Sequence, residues 1–336
     1  MIPRRRRYAF APGVELALSG NDPVIRHFDL EYGPGAAAGG GGEPVVDIAF
    51  DGGTSSPEAA IGGGHKTVRW QVALGDPDGE PLRAVISLRG RPVAFGLSLV
   101  QGFFVEPLLS VGIARHDRVL VPGAAVAEPG GALLMLGRSR SGKSTLAARA
   151  AAAGRRVLGD DQVILDSAGA CSPFPRRMRF YSDLPRTAPR AFARLPAATR
   201  AALFGRRIVN AATRGYVAPP VRIEPAVFGV PFAPDTERVA RVALVERSGE
   251  RDRLDSQPGT LSEAVTWSLQ LLDEQRLRLG AAGDAWRCAV AAARSSEKSV
   301  LEQALADVPI GRIRVPKKWD AARAVAELAD HLRIEA

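Results

Sequence analysis

Between the apolar run Ala132-Leu133-Leu134-Met135-Leu136 and an alanine-rich stretch from Lys143 stands the octapeptide Gly137-Arg138-Ser139-Arg140-Ser141-Gly142-Lys143-Ser144. Nothing else in the chain narrows the fold so far. Five consecutive apolar residues without alternation predict a strand buried on both faces. The following Lys-Ser-Thr-Leu-Ala-Ala-Arg-Ala run is a strong helix former, with Gly154 as its expected cap. A buried strand, a glycine-rich turn and a helix start, in that order, make a cradle for a nucleoside triphosphate. Gly137 and Gly142 let backbone amides approach the phosphates, and the unpaired amides and dipole of the helix start favour the anion. Lys143 supplies a charge for the β- and γ-phosphates, and Ser144 a hydroxyl for Mg²⁺. Ser139, Arg140 and Ser141 form the turn, and Thr145 reaches the α-phosphate side. Arg140 either reaches the γ-phosphate or faces solvent. The expected ligands are ATP and Mg²⁺.

Asp160 follows Lys143 by 17 residues, and Asp161 is next to it. One helix and one short apolar strand, Arg156-Val157-Leu158, separate them from the loop. A parallel neighbouring strand would bring the pair to the rim that carries the phosphates. One carboxylate can then hold a metal while the other takes a proton from an attacking hydroxyl.

The remaining chain reads as a β-rich region before residue 118 and a nucleotide-binding α/β domain from 119 to 336. Apolar stretches between 8 and 32 are broken by Pro12, Gly20 and Asn21-Asp22-Pro23, and Gly33 to Gly42 is a glycine-rich loop. Residues 45–50, 68–74, 82–88, 93–99, 120–126, 163–165 and 239–246 are expected as strands. Residues 310–316 alternate like an edge strand. Helices are expected in part over 188–204, interrupted by Pro196, from about 260 with the capping box Thr260-Leu261-Ser262-Glu263, and over 284–294 and 320–333.

The chain has 336 residues and a net charge of +9, yet only five of its 45 basic residues are lysine. Arginine excess accompanied by abundant Ala, Gly and Pro is a composition-wide bias, so basicity alone does not point to nucleic acid, and no aromatic-basic motif supports that partner. Arg4 to Arg7 reads as a solvated tail. No apolar run is expected to span a membrane. Cys171 and Cys288 are too few for a disulfide framework, and His27, His65, His116 and His331 lack metal-ligand spacing. These features fit a reducing, cytoplasmic setting.

The order Pro122-Gly123-Ala124-Ala125-Val126, then Gly137 to Thr145, then Gly159-Asp160-Asp161 resembles the HPr kinase/phosphorylase superfamily, whose fold is shared with phosphoenolpyruvate carboxykinase. The resemblance covers about residues 119–166 and extends loosely to the C-terminus. It implies an α/β kinase core, and transfer of the γ-phosphate of ATP to a hydroxyl on a peptide, a protein or a small molecule; the β-rich N-terminal region does not match the family's usual first domain. Lys143 and the loop amides would hold phosphates, Ser144 and Asp161 would hold Mg²⁺, and Asp160 would be the base, an order within the pair that is open to reversal. Relatives often assemble, which leaves the oligomeric state open, a homo-oligomer included. The chain departs from the HPr kinases at Pro122, where they carry histidine. It departs again at Ala211-Ala212-Thr213-Arg214-Gly215, which keeps only Arg-Gly of their Glu-x-Arg-Gly signature. HPr itself is therefore not the implied acceptor. Arg176, Arg177 and Arg179, and secondarily Arg206, Arg207 and Arg214, are candidates to balance transferred charge. The competing reading is a nucleotide-dependent switch or ATPase that acts on a protein partner without phosphorylating it.

Overall fold

The computed structural model describes residues 3–33, 42–50, 60–214, 220–228, 235–249 and 252–335 of a mixed α/β chain. The chain falls into two compact units. One holds Met1–Leu120, Ile164–Ala168 and Ser268–Ala304; the other holds Val121–Val163, Gly169–Trp267 and Leu305–Ala336. The single division expected after residue 118 lies beside the first passage between units, and the chain then returns twice to the first unit.

The first unit begins with β1 (Arg4–Ala11), β2 (Val14–Gly20), α1 (Asp22–Tyr32), β3 (Val46–Phe50), β4 (Ala60–His65), β5 (Val68–Leu74) and β6 (Leu82–Gly90). These strands form one sheet in the order β1-β2-β3-β6-β5-β4, with β2, β3 and β6 parallel and the outer pairs antiparallel. In β5 the alternation Val68, Trp70, Val72 is the buried face, as period-two patterning requires. Arg4 to Arg7 are not a tail. They lie in β1, register against β2, and pair with Asp22, Asp47, Asp29 and Glu15 at 3.0, 2.7, 3.7 and 3.8 Å. Four carboxylates distant in sequence offset the repulsion that a tract of like charge would otherwise carry. The apparent breaker Asn21-Asp22-Pro23 is instead a helix start: the Asn21 side chain accepts from the Val24 amide at 3.2 Å, and Pro23 fills the first turn, where no donor is needed.

The segment expected as a strand at 93–99 is helical. It opens a continuous run of α2 (Val93–Val100), a π-helical turn (Gln101–Val105) and α3 (Glu106–Ala114). Short apolar runs without alternation fit a buried strand or a buried helix, and length decides between them. Here the run continues for 22 residues, well beyond a strand. By length and composition it is also able to cross a membrane, with mean hydropathy 1.6, contrary to the sequence expectation; 78% of that window is buried within the protein.

β7 (Arg118–Val121) leads into the second unit, which contains β8 (Gly123–Glu128), β9 (Gly131–Leu136), α4 (Lys143–Ala152) and β10 (Val157–Gly159). Pro122 divides the expected strand 120–126 between β7 and β8, since proline has no amide to give a ladder. After β11 (Val163–Asp166) come β12 (Ala170–Pro173), β13 (Met178–Phe180), α5 (Leu184–Thr187), α6 (Pro189–Arg194), α7 (Ala197–Ala212), β14 (Val221–Ile223), β15 (Glu237–Gly249) and β16 (Asp255–Pro258). α8 (Leu261–Gly280) runs back into the first unit, followed there by α9 (Asp284–Ala304). β17 (Ile310–Pro316) and α10 (Ala321–His331) close the second unit. The expected capping box opens α8: the Glu263 amide donates to Thr260 Oγ1 at 3.2 Å, and the Thr260 amide donates to Glu263 Oε2 at 2.9 Å.

In the second unit the strands run β10-β8-β9-β15-β17-β16. β9, β15 and β17 are parallel, so their carboxyl ends share one rim. Leu133, Leu134, Met135 and Leu136 are fully buried, as the unbroken apolar run predicts, each burial contributing about 2 kcal/mol. β17 is not an edge strand. β16 covers its outer side, and the polar half of its alternation is spent on ion pairs: Arg312 reaches Glu246 and Glu263 at 3.0 and 2.9 Å, and Arg314 reaches Glu246 at 3.0 Å.

Candidate functional site

The turn between β9 and α4 has the backbone that its glycines forecast. A Cβ on Gly137 would stand 2.5 Å from the Val245 carbonyl oxygen and 2.8 Å from Ser141 Oγ, so only glycine fits. Gly142, the N-cap of α4, has φ +101°, which is left-handed backbone. Arg140 also takes a left-handed φ of +68°, an uncommon conformation for a side chain of its size. The α10 side chains Val325 and Leu328 pack against the Gly142 position and fix the helix start. Lys143, the first helical residue, folds its ammonium back over the turn and donates to the Gly137 and Arg138 carbonyls at 2.5 and 3.1 Å and to Ser141 Oγ at 3.4 Å. Ser141 is buried, Ser144 and Thr145 are half-buried on the first turn of α4, and Ser139 and Arg140 are exposed. The first amides of α4 have no partner within the helix, as at any helix start. A turn of this kind, with a lysine across its mouth, is suited to a polyanion.

Asp160 and Asp161 arrive at the end of β10. That strand is not the immediate neighbour of β9, because β8 lies between them. Two antiparallel steps restore the direction of β9, so the aspartates still reach the rim that carries the turn. Both carboxylates act on the Lys143 ammonium; burial lowers its pKa, and Asp161 and then Asp160 pull it back up.

The two aspartates differ sharply. Asp160 is 4% exposed, and its pKa is pushed up to about 7, first by burial and then by the Asp161 charge. Ser144, Arg176 and Lys143 act on this carboxyl in the opposite sense, lowering its pKa. Asp160 Oδ2 accepts from the Arg179 amide at 3.3 Å, whereas Oδ1 is buried with no partner at normal hydrogen-bond length among the described residues. Asp161 has a 41% exposed side chain and ion pairs to Arg176 and Arg179 at 3.3 and 3.9 Å. The Arg176 side chain is 6% exposed and lies beside the pair.

Tyr181, beyond the end of β13, completes the group and carries no signal in the sequence. Its phenol is half exposed, and its pKa is raised by burial first and by the Asp161 charge next, with Arg140 opposing. Arg140, Tyr181 and the aspartates are therefore electrostatic neighbours. Arg206 and Arg207 lie on α7 and Arg214 follows it; among the described residues none forms an ion pair with the aspartates. Among the described residues no group of three or more His, Cys, Asp or Glu side chains is set to hold a metal. Cys171 is buried and Cys288 exposed, and neither is in a disulfide.

The donor set suits Mg²⁺ better than a metal that needs a full protein cage. Mg²⁺ takes one or two carboxylates, a hydroxyl, waters and substrate phosphate oxygens. Ser144 and the unpartnered Asp160 Oδ1 are the groups that could supply such a partial shell beside the turn.

The Asp160 environment has a consequence for stability without added ligand. Its pKa is about 7 in the folded protein, against an ordinary 3.8. The folded state therefore holds a proton that the unfolded state releases, and stability falls as pH rises from about 4 to about 7. Asp160→Asn removes that penalty. The variant should melt higher than wild type at pH 8, by an amount on the order of a few kcal/mol, with the gain shrinking towards pH 5. Melting curves at both pH values check this, and a gain independent of pH would contradict it.

No protein-family model matches the chain, and no functionally characterised protein matches it in sequence.

Proposed function

We propose that this protein is a Mg-ATP-dependent phosphotransferase that moves the γ-phosphate to a hydroxyl, built on a core of the HPr kinase and phosphoenolpyruvate carboxykinase type and working in the cytoplasm. The observation that carries this reading is the buried Asp160 carboxyl, whose Oδ1 has no hydrogen-bond partner among the described residues, on the rim of the Gly137–Ser144 turn and close enough, with Asp161, to act on Lys143.

The same carboxyl also orders the pair. In phosphate-loop enzymes the loop hydroxyl and a nearby aspartate hold the metal together. Here the aspartate beside Ser144 is Asp160, so we assign Ser144 and Asp160 to Mg²⁺, which when bound would neutralise charge between the β- and γ-phosphates. Asp161, more exposed and next in the chain, is then the base that takes the proton of the acceptor hydroxyl. This reverses the order that the resemblance alone suggests. Lys143 would leave the Gly137 carbonyl for the phosphate oxygens. Arg176 and Arg179, already paired with Asp161, would balance charge on the transferred group.

The test is transfer of label from γ-³²P-ATP, with Mg²⁺, to proteins and peptides encoded beside this gene. Labelled acceptor is the expected result. Phosphate release that rises with a partner, with no labelled acceptor, would favour the switch or ATPase reading. Failure to bind ATP at all would end both.

A further inference from the structure

A second concavity opens beside the rim that carries the Gly137–Ser144 turn and runs along α10 as far as His331, which meets Ser256 of β16 at 3.1 Å. It is an open groove of about 350 Å³, and Leu254, Trp319, Arg323, Glu327 and Asp330 are among its lining residues. Leu254 follows the carboxyl end of β15, and Trp319 that of β17. β9, β15 and β17 are parallel neighbours in that order, so the end of the groove lined by Leu254 and Trp319 stands two strands from the turn, roughly 10 Å along the rim. Asp160 and Asp161 lie on the opposite side of the turn, beyond β8. In open α/β sheets this crevice outside the carboxyl ends of parallel strands is where ligands extend.

The groove is built rather than incidental. Arg247 of β15 donates to the Trp319 and Lys317 carbonyls and holds the turn after β17, while Lys318 pairs with Asp252 from the segment after β15. The Arg323 guanidinium lies over the Trp319 ring at 4.3 Å from its centroid, a stacked platform. Trp319 is 6% exposed, and its indole N–H has no acceptor among the described residues. The carboxylates of Glu327 and Asp330 stand exposed on the outer face of α10, one turn apart. A flat π-cation surface flanked by carboxylates recognises a planar base with an exocyclic amine: the base stacks on the guanidinium and its amine donates to a carboxylate.

We propose that this groove is the base-binding half of the nucleotide site, selecting a purine with an exocyclic amino group, while the Gly137–Ser144 turn takes the phosphates. The inference rests on the nucleotide reading of that turn. It also gives the site a direction: base over β17, phosphates over β9, acceptor hydroxyl towards β10.

Calorimetric titration of the full chain with Mg-ATP and with Mg-tripolyphosphate, which has phosphates and no base, tests it. Wild type should bind both, ATP more tightly. Arg323→Ala should lower ATP affinity about tenfold or more, the usual scale for loss of a base-stacking partner, and leave tripolyphosphate affinity within about twofold. The exposed double variant Glu327→Gln with Asp330→Asn should narrow the preference for ATP over ITP, whose base lacks the amine, with tripolyphosphate again unaffected. Unchanged ATP affinity in Arg323→Ala, or equal loss of both ligands, would overturn the base site while leaving the phosphate cradle intact. Binding of neither ligand to wild type would instead remove the nucleotide reading beneath it.

Discussion

Asp161→Asn should lower phosphoryl transfer to the acceptor by about 10²- to 10⁴-fold, the usual contribution of a positioned general base, and leave Mg-ATP affinity close to wild type. The separation follows from where the two carboxylates stand. Asp161 is turned towards Arg176 and Arg179 with a 41% exposed side chain, whereas Asp160 is buried beside Ser144 with its Oδ1 unpartnered among the described residues. Asp160→Asn should behave differently. It removes the charge beside Ser144, so Mg-dependent ATP affinity should fall about 10- to 100-fold, the range seen when a metal site loses a supporting group. Single-turnover transfer at saturating Mg-ATP, paired with binding titrations, separates the two effects. Should Asp161→Asn lose Mg-ATP binding while Asp160→Asn keeps it, the order within the pair is the reverse of the one proposed. Should both variants transfer phosphate at the wild-type rate, neither aspartate is the base.

Much of this site was legible in the sequence because its parts are joined by short-range rules. Five apolar residues, two glycines that only left-handed or crowded backbone requires, and an alanine-rich run set β9, the turn and α4 without help from elsewhere. The short spacing from Lys143 to Asp160 allowed little except one helix and one strand, and so placed the pair on the right rim. The sequence could not reveal that β8 intervenes, since an antiparallel strand supplied from upstream leaves no mark on the spacing. Nor could it tell which aspartate meets Ser144, because adjacent residues at a strand end differ only in which way each side chain turns. Tyr181 was invisible for a similar reason: an isolated tyrosine after a short strand looks like any surface residue. Where local patterns misled, long-range contacts had decided the outcome. Arg4 to Arg7 are strand through their ladder with β2, where Asp22, Asp29, Asp47 and Glu15 meet their charges. Ile310 to Pro316 gained a cover strand because its arginines are paired. Val93 to Leu99 became helix because the apolar run does not stop at a strand's length.

Glu297→Gln should destabilise the first unit by about 3–5 kcal/mol, the usual loss when one partner of a buried ion pair is removed. Glu297 on α9 and Arg276 near the end of α8 are 0% and 1% exposed, and the guanidinium donates to both carboxylate oxygens, Nη1 to Oε2 at 2.8 Å. Nη2 also donates to Ser110 Oγ on α3, and that hydroxyl lies 3.4 Å from Glu297 Oε1. Burial raises the pKa of Glu297, which the guanidinium offsets in part. With glutamine in its place the cation remains dry and without an anion, and its desolvation cost stands nearly uncompensated. The paired change Arg276→Met with Glu297→Leu removes both charges, and should recover most of the loss because apolar groups of similar volume need no counter-charge. Urea unfolding combined with amide hydrogen exchange over α9 measures both variants. The carrying assumption is that the pair acts as one electrostatic unit: if the double change is as damaging as the single one, shape rather than charge is what Arg276 and Glu297 contribute, and the three helices are held by packing alone.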